Sequence, residues 1–233
     1  MRIVLIILLT LLIMACLIFW PRIDLIVSGL FYEPENGFFM RNDWLLRFVH
    51  YAAYGGARIL GLFLFFMTVL TAILRTSVAS LGSRAWLFLF LALLIGPGLV
   101  ANVVLKDHWG RARPSEITTF GGKAQFTPAL EIAHECDRNC SFVSGDGAFG
   151  FYLTSFAYVV PPRKSRRYFW CAAGLGLLCS LARLIAGAHF FSDNLFAAFF
   201  MLAVSAGLNT IMFGWQKTRQ CWQNWFYAGF DKG

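Results

Sequence analysis

The chain has 233 residues, of which 58% are hydrophobic and only 14% are charged. Soluble domains usually carry about a quarter charged residues, so the composition excludes an ordinary soluble protein. The formal net charge of +8 is scattered over several loops, which argues against a nucleic-acid partner and favours contact with anionic lipid headgroups.

Six apolar blocks approach the roughly 20 residues that span the hydrocarbon of a bilayer. Their bounds are Ile3–Trp20, Ala53–Leu74, Ala85–Leu105, Phe149–Val160, Tyr168–Ala188 and Phe190–Phe213. The first block lacks the usual cleavage site of a signal peptide, the alternative reading, and is expected to be retained. The fourth is short unless it begins near Phe142. We therefore predict an all-α fold, a polytopic membrane protein with six transmembrane helices.

Lys and Arg in the short loops indicate the orientation. The basic residues on one side are Arg2, Arg75, Arg84, Arg163, Lys164, Arg166, Arg167, Lys217 and Arg219. Short cytoplasmic loops carry such an excess, so this side is expected to be the cytoplasm. The sequence thus predicts a multi-pass protein of the bacterial inner membrane, with both termini cytoplasmic and the longer loops facing the periplasm.

The chain is expected to form one membrane domain over residues 1–233. Residues 1–52 would hold the first helix and an outer interfacial segment, with an amphipathic piece at Trp44–Tyr51; residues 53–213 the helical core; and residues 214–233 a cytoplasmic interfacial tail. Cys136 and Cys140 share the long outer loop. An oxidising compartment permits a disulfide there, but close spacing alone does not establish one.

Three polar clusters lie at the ends of apolar blocks. They are Lys106–Pro114 after the third block, Ser144–Asp146 before the fourth, and Arg183–Asp193 around the turn between the fifth and sixth. Alternating crossings bring all three to the same membrane surface. Ionisable residues at membrane depth usually face an interior cavity and mark function, so the clusters predict one site.

The residue types of the site favour phosphate chemistry. Lys106, Arg113 and Arg183 form a group of three cations; arginine contacts phosphate in a bidentate manner and lysine acts as a point charge. Ser144 and Gly145 can add a hydroxyl and backbone N–H donors at a helix start, where anions bind.

A nucleophile is predicted beside these cations. His189 and Asp193 are four residues apart, which places them on one helix face. A carboxylate there can hold one imidazole nitrogen protonated and aim the other outward.

Each motif also has a simpler, purely structural explanation. Lys106, Arg111 and Arg113 can be juxtamembrane anchors, and an isolated His189 can be a packed histidine. A metal site is the remaining alternative, and its candidate ligands are His108, His134, Glu131 and Glu135. Their spacing matches none of the compact metal motifs, so we expect neither a metal nor another cofactor.

The order of the motifs resembles a known family. The first motif is Lys106, six further residues and Arg113-Pro114, and the second is Ser144-Gly145. The third is Arg183, five residues, His189, three residues and Asp193. This order is similar to the tripartite signature of the type 2 phosphatidic acid phosphatases (PAP2). These are membrane lipid phosphatases related in their site to vanadium haloperoxidases. The resemblance implies a PAP2/haloperoxidase-like helical core and a metal-independent phosphatase.

The resemblance also implies roles. His189 would be the nucleophile that forms a phosphohistidine, and Asp193 would orient it. Lys106, Arg113 and Arg183 would bind the phosphate and stabilise the transition state, aided by Ser144 and Gly145.

The outward-facing site and the "ECDRNCSF" run look most like bacterial lipid A phosphatases, so the expected substrate is a membrane lipid phosphate, the 1- or 4'-phosphate of lipid A. The alternatives are an undecaprenyl pyrophosphate or phosphatidylglycerophosphate phosphatase, a lipid phosphotransferase, or a non-catalytic lipid-binding or transport protein.

The second motif departs from the family pattern. The family has Pro-Ser-Gly-His, whose histidine gives a proton to the leaving oxygen, whereas this chain ends the motif with Asp146. Neighbouring cations favour the ionised carboxylate, so Asp146 is expected to be a poor acid with an electrostatic or basic catalytic role. It would activate water or position Arg111 or Arg183, with His108 or His134 supplying the proton. Alternatively, a good leaving group needs little acid.

Overall fold

The computed structural model describes residues 2–227; Met1 and residues 228–233, the end of the predicted tail, lie outside the described range. Within that range the helices are α1 (Arg2–Phe19), α2 (Arg22–Gly29), α3 (Trp44–Leu74), α4 (Ser83–Lys106), α5 (Gly145–Tyr152), α6 (Pro162–Ile185), α7 (Phe191–Phe213) and α8 (Trp215–Tyr227). Strands β1 (Tyr32–Glu33) and β2 (Gly37–Phe38) form a short antiparallel hairpin. The predicted all-helical class is confirmed, apart from this hairpin.

Four helices of the described range, α3, α4, α6 and α7, are long and apolar enough to cross a membrane. The pair Leu8–Phe19 and Arg22–Gly29, bent by 87°, makes a fifth candidate if it is one broken span. The prediction of a polytopic helical membrane protein is therefore supported, whereas the number of six spans is not confirmed.

The fourth apolar block forms a short helix in the middle of the bundle. Eight residues of α5 are followed by six in tighter 3₁₀ turns, Leu153–Tyr158, and α5 packs mainly on α6 and α7. A Cβ at Gly150 would lie 2.7 Å from the Cα of Gly176. Small residues at both positions therefore let α5 and α6 approach closely, which fixes the height of the second motif in the bundle.

Helix α3 begins earlier than the sequence indicates. Asp43 caps it by accepting hydrogen bonds from the N–H groups of Leu45 and Leu46, a favoured arrangement at helix starts. The expected separate interfacial piece at Trp44–Tyr51 is thus wrong, because those residues are the first turns of α3. At 31 residues the helix is about 46 Å long, longer than the roughly 30 Å hydrocarbon.

The second half of α4 is widened around a proline. Residues Leu94–Lys106 form π-type turns that contain Pro97, which has no N–H to donate. The side-chain amide of Asn102 donates to the carbonyl of Pro97 at 2.7 Å. The helix then ends at Lys106, which carries the first motif into the site.

A left-handed turn joins α6 to α7. Gly187 has a φ of +65°, a conformation that glycine adopts without steric cost, and a Cβ there would overlap the ring of Phe38 at 2.3 Å. The hairpin therefore packs directly on this turn. The arrangement places His189 immediately before α7.

The predicted tail starts as a helix that packs on the bundle. Trp225 of α8 is buried and stacks on Phe169 of α6 with ring centroids 4.3 Å apart. Its indole N–H donates to Ser165 Oγ at 2.6 Å. The basic run Arg163–Arg167, expected as a loop, forms the first turns of α6.

Candidate active site

One polar cavity of about 520 Å³ lies where the three motifs meet. The predicted site residues that line it are Lys106, Arg113, Gly145, Asp146, Arg183 and His189. They come from the end of α4, the loop after it, the start of α5, the end of α6 and the α6–α7 turn. The expected convergence of the three motifs on one site is therefore what the structure shows; we call this space the site cavity.

The site cavity is strongly basic. Arg58 of α3 joins Lys106, Arg113 and Arg183, and Asp146 is the one acidic residue among the described residues that line the space. Four cations against one carboxylate leave a net charge of +3 with neutral histidines. Such a surplus favours a multiply charged anion such as phosphate.

Asn139 holds two of the cations in place. Lys106 Nζ donates to its side-chain oxygen at 3.2 Å, and an Arg113 guanidinium nitrogen donates to its backbone carbonyl at 2.7 Å. Both acceptors are neutral, so they position the cations without cancelling their charge. Asn139 lies inside the short loop closed by a disulfide between Cys136 and Cys140, the bond that the sequence had left open.

His189 is buried, with one ring nitrogen fixed. Its Nδ1 lies 2.7 Å from the backbone carbonyl of Ser141, so Nδ1 carries the proton and Nε2 keeps its lone pair for the site cavity. Burial is the main cause that lowers the pKa of His189 to about 4, and the positive charge of Lys106 adds to it. His189 is therefore a neutral imidazole at neutral pH.

Asp193 stands behind His189 rather than in the cavity. Its nearest carboxylate oxygen lies 3.7 Å from His189 Nδ1, which is too long for a hydrogen bond. It accepts instead from Ser141 Oγ, from the N–H of Phe190 at 2.8 Å, and from Arg111. Asp193 thus fixes Ser141, whose carbonyl is the direct partner of the imidazole.

Arg111 is fully buried in a network of ion pairs behind the site. Its guanidinium contacts Asp193 and lies 2.8 Å from Asp24 of α2, and it also donates to Ser192 Oγ and to the carbonyl of Thr127. The anchor reading of Arg111 is therefore wrong, because every polar side-chain group of this arginine is engaged inside the protein.

Asp146 lies in the first turn of α5 between two partners. Its Oδ2 is 2.7 Å from His50 Nδ1 and 3.2 Å from Arg183 Nε, the latter an ion pair without hydrogen-bond alignment. Burial alone would raise the pKa of Asp146, but the His50 hydrogen bond and the Arg183 charge outweigh it and hold the pKa below its usual value. The side chain is a carboxylate, which agrees with the expectation that it is a poor acid.

Ser144 does not line the site cavity. It is the N-cap of α5, buried, and its hydroxyl accepts from the N–H of Gly147 at 3.2 Å. Gly145 does reach the cavity, and a Cβ there would lie 3.3 Å from Lys106 Nζ. The helix start therefore contributes its backbone to the cavity, and Ser144 stabilises the turn.

Sequence reasoning missed His50, Arg58 and Asn139, which all line the site cavity. It proposed His108 and His134 as proton donors, but neither is among the lining residues. His108 is exposed, and its Nδ1 lies 2.8 Å from the carbonyl of Val103. His50 could have been found by extending the second apolar block towards Trp44, because its spacing from the apolar residues of that block is helical.

The family assignment rests on a direct match. The sequence model of the PAP2 superfamily matches residues 84–217, which is more than half of the chain and covers all three motifs. The chain belongs to the PAP2 superfamily. The family resemblance read from the motifs is therefore confirmed, and the chain is a phosphatase of the phosphoric monoester hydrolase class.

Relatives of the chain are named as phosphatases. The chain is 36% identical over 191 residues to the lipid A 4'-phosphatase of Francisella tularensis subsp. novicida, an alignment that covers 78% of this chain and 82% of the relative. It is 45% identical over 118 residues to the lipid A 4'-phosphatase of Rhizobium leguminosarum, which covers 50% of each chain. No solved structure matches the chain significantly.

Proposed function

We propose that this protein is a metal-independent phosphatase that removes a phosphomonoester from lipid A, at the 4'-position. The observation that most directly supports this proposal is the site cavity, in which a neutral and oriented His189 lies among Lys106, Arg113 and Arg183. The names of the relatives favour lipid A over the prenyl and glycerol lipids, and the 4'- over the 1-phosphate.

The first chemical step is attack on phosphorus. The Nε2 lone pair of His189 forms a P–N bond while the bond from phosphorus to the 4'-oxygen of the sugar breaks, and the sugar oxygen leaves with the electron pair and takes up a proton. Lys106, Arg113 and Arg183 neutralise the charge on the three phosphoryl oxygens. Phosphoryl transfer depends mostly on such positioning and electrostatic stabilisation, and Asp193 serves it by fixing Ser141.

The second step releases phosphate. A water oxygen attacks phosphorus as the P–N bond breaks, its proton passes to a base in the cavity, and the electron pair returns to Nε2 of His189. Inorganic phosphate leaves and the neutral imidazole is restored. The chain's cations do in both steps what a metal ion does in other phosphatases.

The proposed orientation places the site cavity at the periplasmic face. Arg163–Arg167 lie at the start of α6, and Arg183 lies near its other end, about 30 Å away at 1.5 Å per residue. Short basic segments favour the cytoplasmic side, so the opposite end of α6 faces the periplasm. Cytoplasmic termini need an even number of crossings. The four long helices, the bent N-terminal pair counted as one span, and the fourth block, Phe149–Val160, would make six.

The test is phosphate release from lipid A by the protein purified in detergent, with mass spectrometry to identify the phosphate removed. We expect loss of the 4'-phosphate, unaffected by chelators and abolished in His189→Ala. His134→Ala is the matched control, because His134 is exposed and outside the cavity. Retained turnover in His189→Ala would overturn the mechanism, and release of phosphate from prenyl or glycerol lipids alone would overturn the substrate.

A further inference from the structure

The altered second motif leaves the leaving group without an evident proton donor. A sugar hydroxyl is a poor leaving group unless a proton reaches its oxygen as the P–O bond breaks. The residue at the family's acid position is Asp146, which is ionised and already accepts a hydrogen bond from His50. A proton donor must therefore come from another part of the fold.

His50 of α3 occupies the right place. It lines the site cavity together with His189, and its side chain is 33% exposed. Its Nδ1 faces Asp146 Oδ2 at 2.7 Å; within residues 2–227 no hydrogen bond of its Nε2 is found. The ring is thus tethered by one nitrogen, while the other is free to exchange a proton with a bound molecule.

The positions of the histidines point to the same residue. The chain has four histidines, and of these only His50 and His189 line the cavity in the described structure. His189 is the nucleophile. The cations of the cavity are arginines, which do not release protons in proteins, and Lys106, which donates to Asn139 and which the proposed function assigns to the phosphate.

We propose that His50 is the general acid and base of this phosphatase, held by Asp146, so that a pair of residues from α3 and α5 replaces the single histidine of the family motif. This inference rests on the proposed function. A carboxylate that accepts a hydrogen bond from Nδ1–H fixes the tautomer and orients the ring. Asp146 is in this scheme a positioning residue, and His50 is the group that touches the leaving oxygen.

The protons balance over one catalytic cycle. In the first step protonated His50 gives its Nε2 proton to the 4'-oxygen as the P–O bond breaks, and its Nδ1 keeps the other proton, hydrogen-bonded to Asp146. In the second step neutral His50 takes a proton from the attacking water at Nε2, while the P–N bond to His189 breaks. The enzyme returns to its starting protonation state with one lipid hydroxyl and one phosphate released.

The test compares two leaving groups. His50→Gln and the control His134→Gln are purified in detergent and assayed on lipid A and on 4-nitrophenyl phosphate, whose nitrophenolate departs without a proton. Removal of a general acid costs about 100-fold or more on a poor leaving group. In a single turnover, which reports the first step, we expect His50→Gln to lose about that factor on lipid A and only a few-fold on 4-nitrophenyl phosphate, with His134→Gln unchanged. The second step lacks its base in His50→Gln and should be slower on both substrates.

A second variant separates loss of the proton donor from a packing defect in His50→Gln. In the double variant His50→Gln with Asp146→His, the imidazole returns to the family position on α5, and part of the lipid A activity should return. Equal single-turnover losses on both substrates, or no loss on lipid A, would overturn the proposal while leaving His189-dependent turnover intact. Wild-type protein that hydrolyses neither substrate, or activity that survives His189→Ala, would instead overturn the proposed function.

Discussion

Replacement of Arg111 by methionine should destabilise the fold through the two carboxylates it leaves behind. Asp24 and Asp193 both contact the Arg111 guanidinium, and all three side chains are at most 2% exposed. Removing one partner of a buried ion pair costs about 3–5 kcal/mol, because the other charge stays buried without compensation. Arg111→Met should therefore lower the free energy of unfolding by about that amount.

The cost can be assigned to the ion pair by a double-mutant cycle. Asp24→Asn removes one of the uncompensated charges, so the double variant Asp24→Asn/Arg111→Met should be more stable than the sum of the two single changes predicts. Residues in direct contact show coupling free energies of about 0.5–3 kcal/mol. Unfolding is followed by tryptophan fluorescence in mixed micelles with increasing denaturing detergent.

An exposed arginine of the same loop provides the control. Arg138→Met alters an exposed side chain and should change stability by no more than about 0.5 kcal/mol. If Arg111→Met unfolds at the same denaturant concentration as Arg138→Met, or if the Asp24 and Arg111 changes are additive, the buried network does not stabilise the protein as argued.

Three further changes test the site. Asp146→Asn should lower lipid A turnover about 10-fold or more, since an amide holds the imidazole tautomer less firmly than a carboxylate; full turnover would contradict the role of Asp146. Replacement of Cys136 and Cys140 by serine should raise KM for phosphate substrates several-fold with a smaller change in kcat, because the loop with Asn139 is released; an unchanged KM would contradict this. Burial lowers the pKa of His189 from 6.5 to about 4, so its neutral form contributes stability that is fully present above pH 6.5 and is lost as pH falls towards 4, by about 1.4 kcal/mol per pH unit. Unfolding titrations over this range should show that slope in wild type and a shallower one in His189→Gln.

The residues that are close in sequence within a motif were the predictable part of the site. Lys106 and Arg113, or Arg183 and His189, lie at the ends of long apolar helices, and helix connectivity alone brings those ends together. Spacing within a motif therefore predicts which residues are close in space, because residues at the same helix end lie near one another. The cavity accordingly contains these four residues where the sequence placed them.

The residues missed by sequence reasoning come from distant segments. His50 meets Asp146 across 96 positions and Asp24 meets Arg111 across 87, and no periodicity encodes such pairings. The start of α3 was also misplaced, since polar residues such as Arg47 and His50 interrupt the apolar run that marks a span. A helix longer than the hydrocarbon thickness of the bilayer can carry polar side chains at its end, and at the start of α3 one of them, His50, lines the site cavity.

The ion pair between Asp24 and Arg111 bears on which part of the chain is self-sufficient. The family's sequence model covers residues 84–217, yet Asp24 and His50 lie before that range and contact its centre. A fragment cut to the family boundaries would lose one of the two carboxylates that pair with the buried Arg111 guanidinium, and the histidine that donates to Asp146. The N-terminal third is therefore an integral part of the catalytic fold rather than a membrane anchor appended to it, and expression or transplantation of the domain requires both parts together.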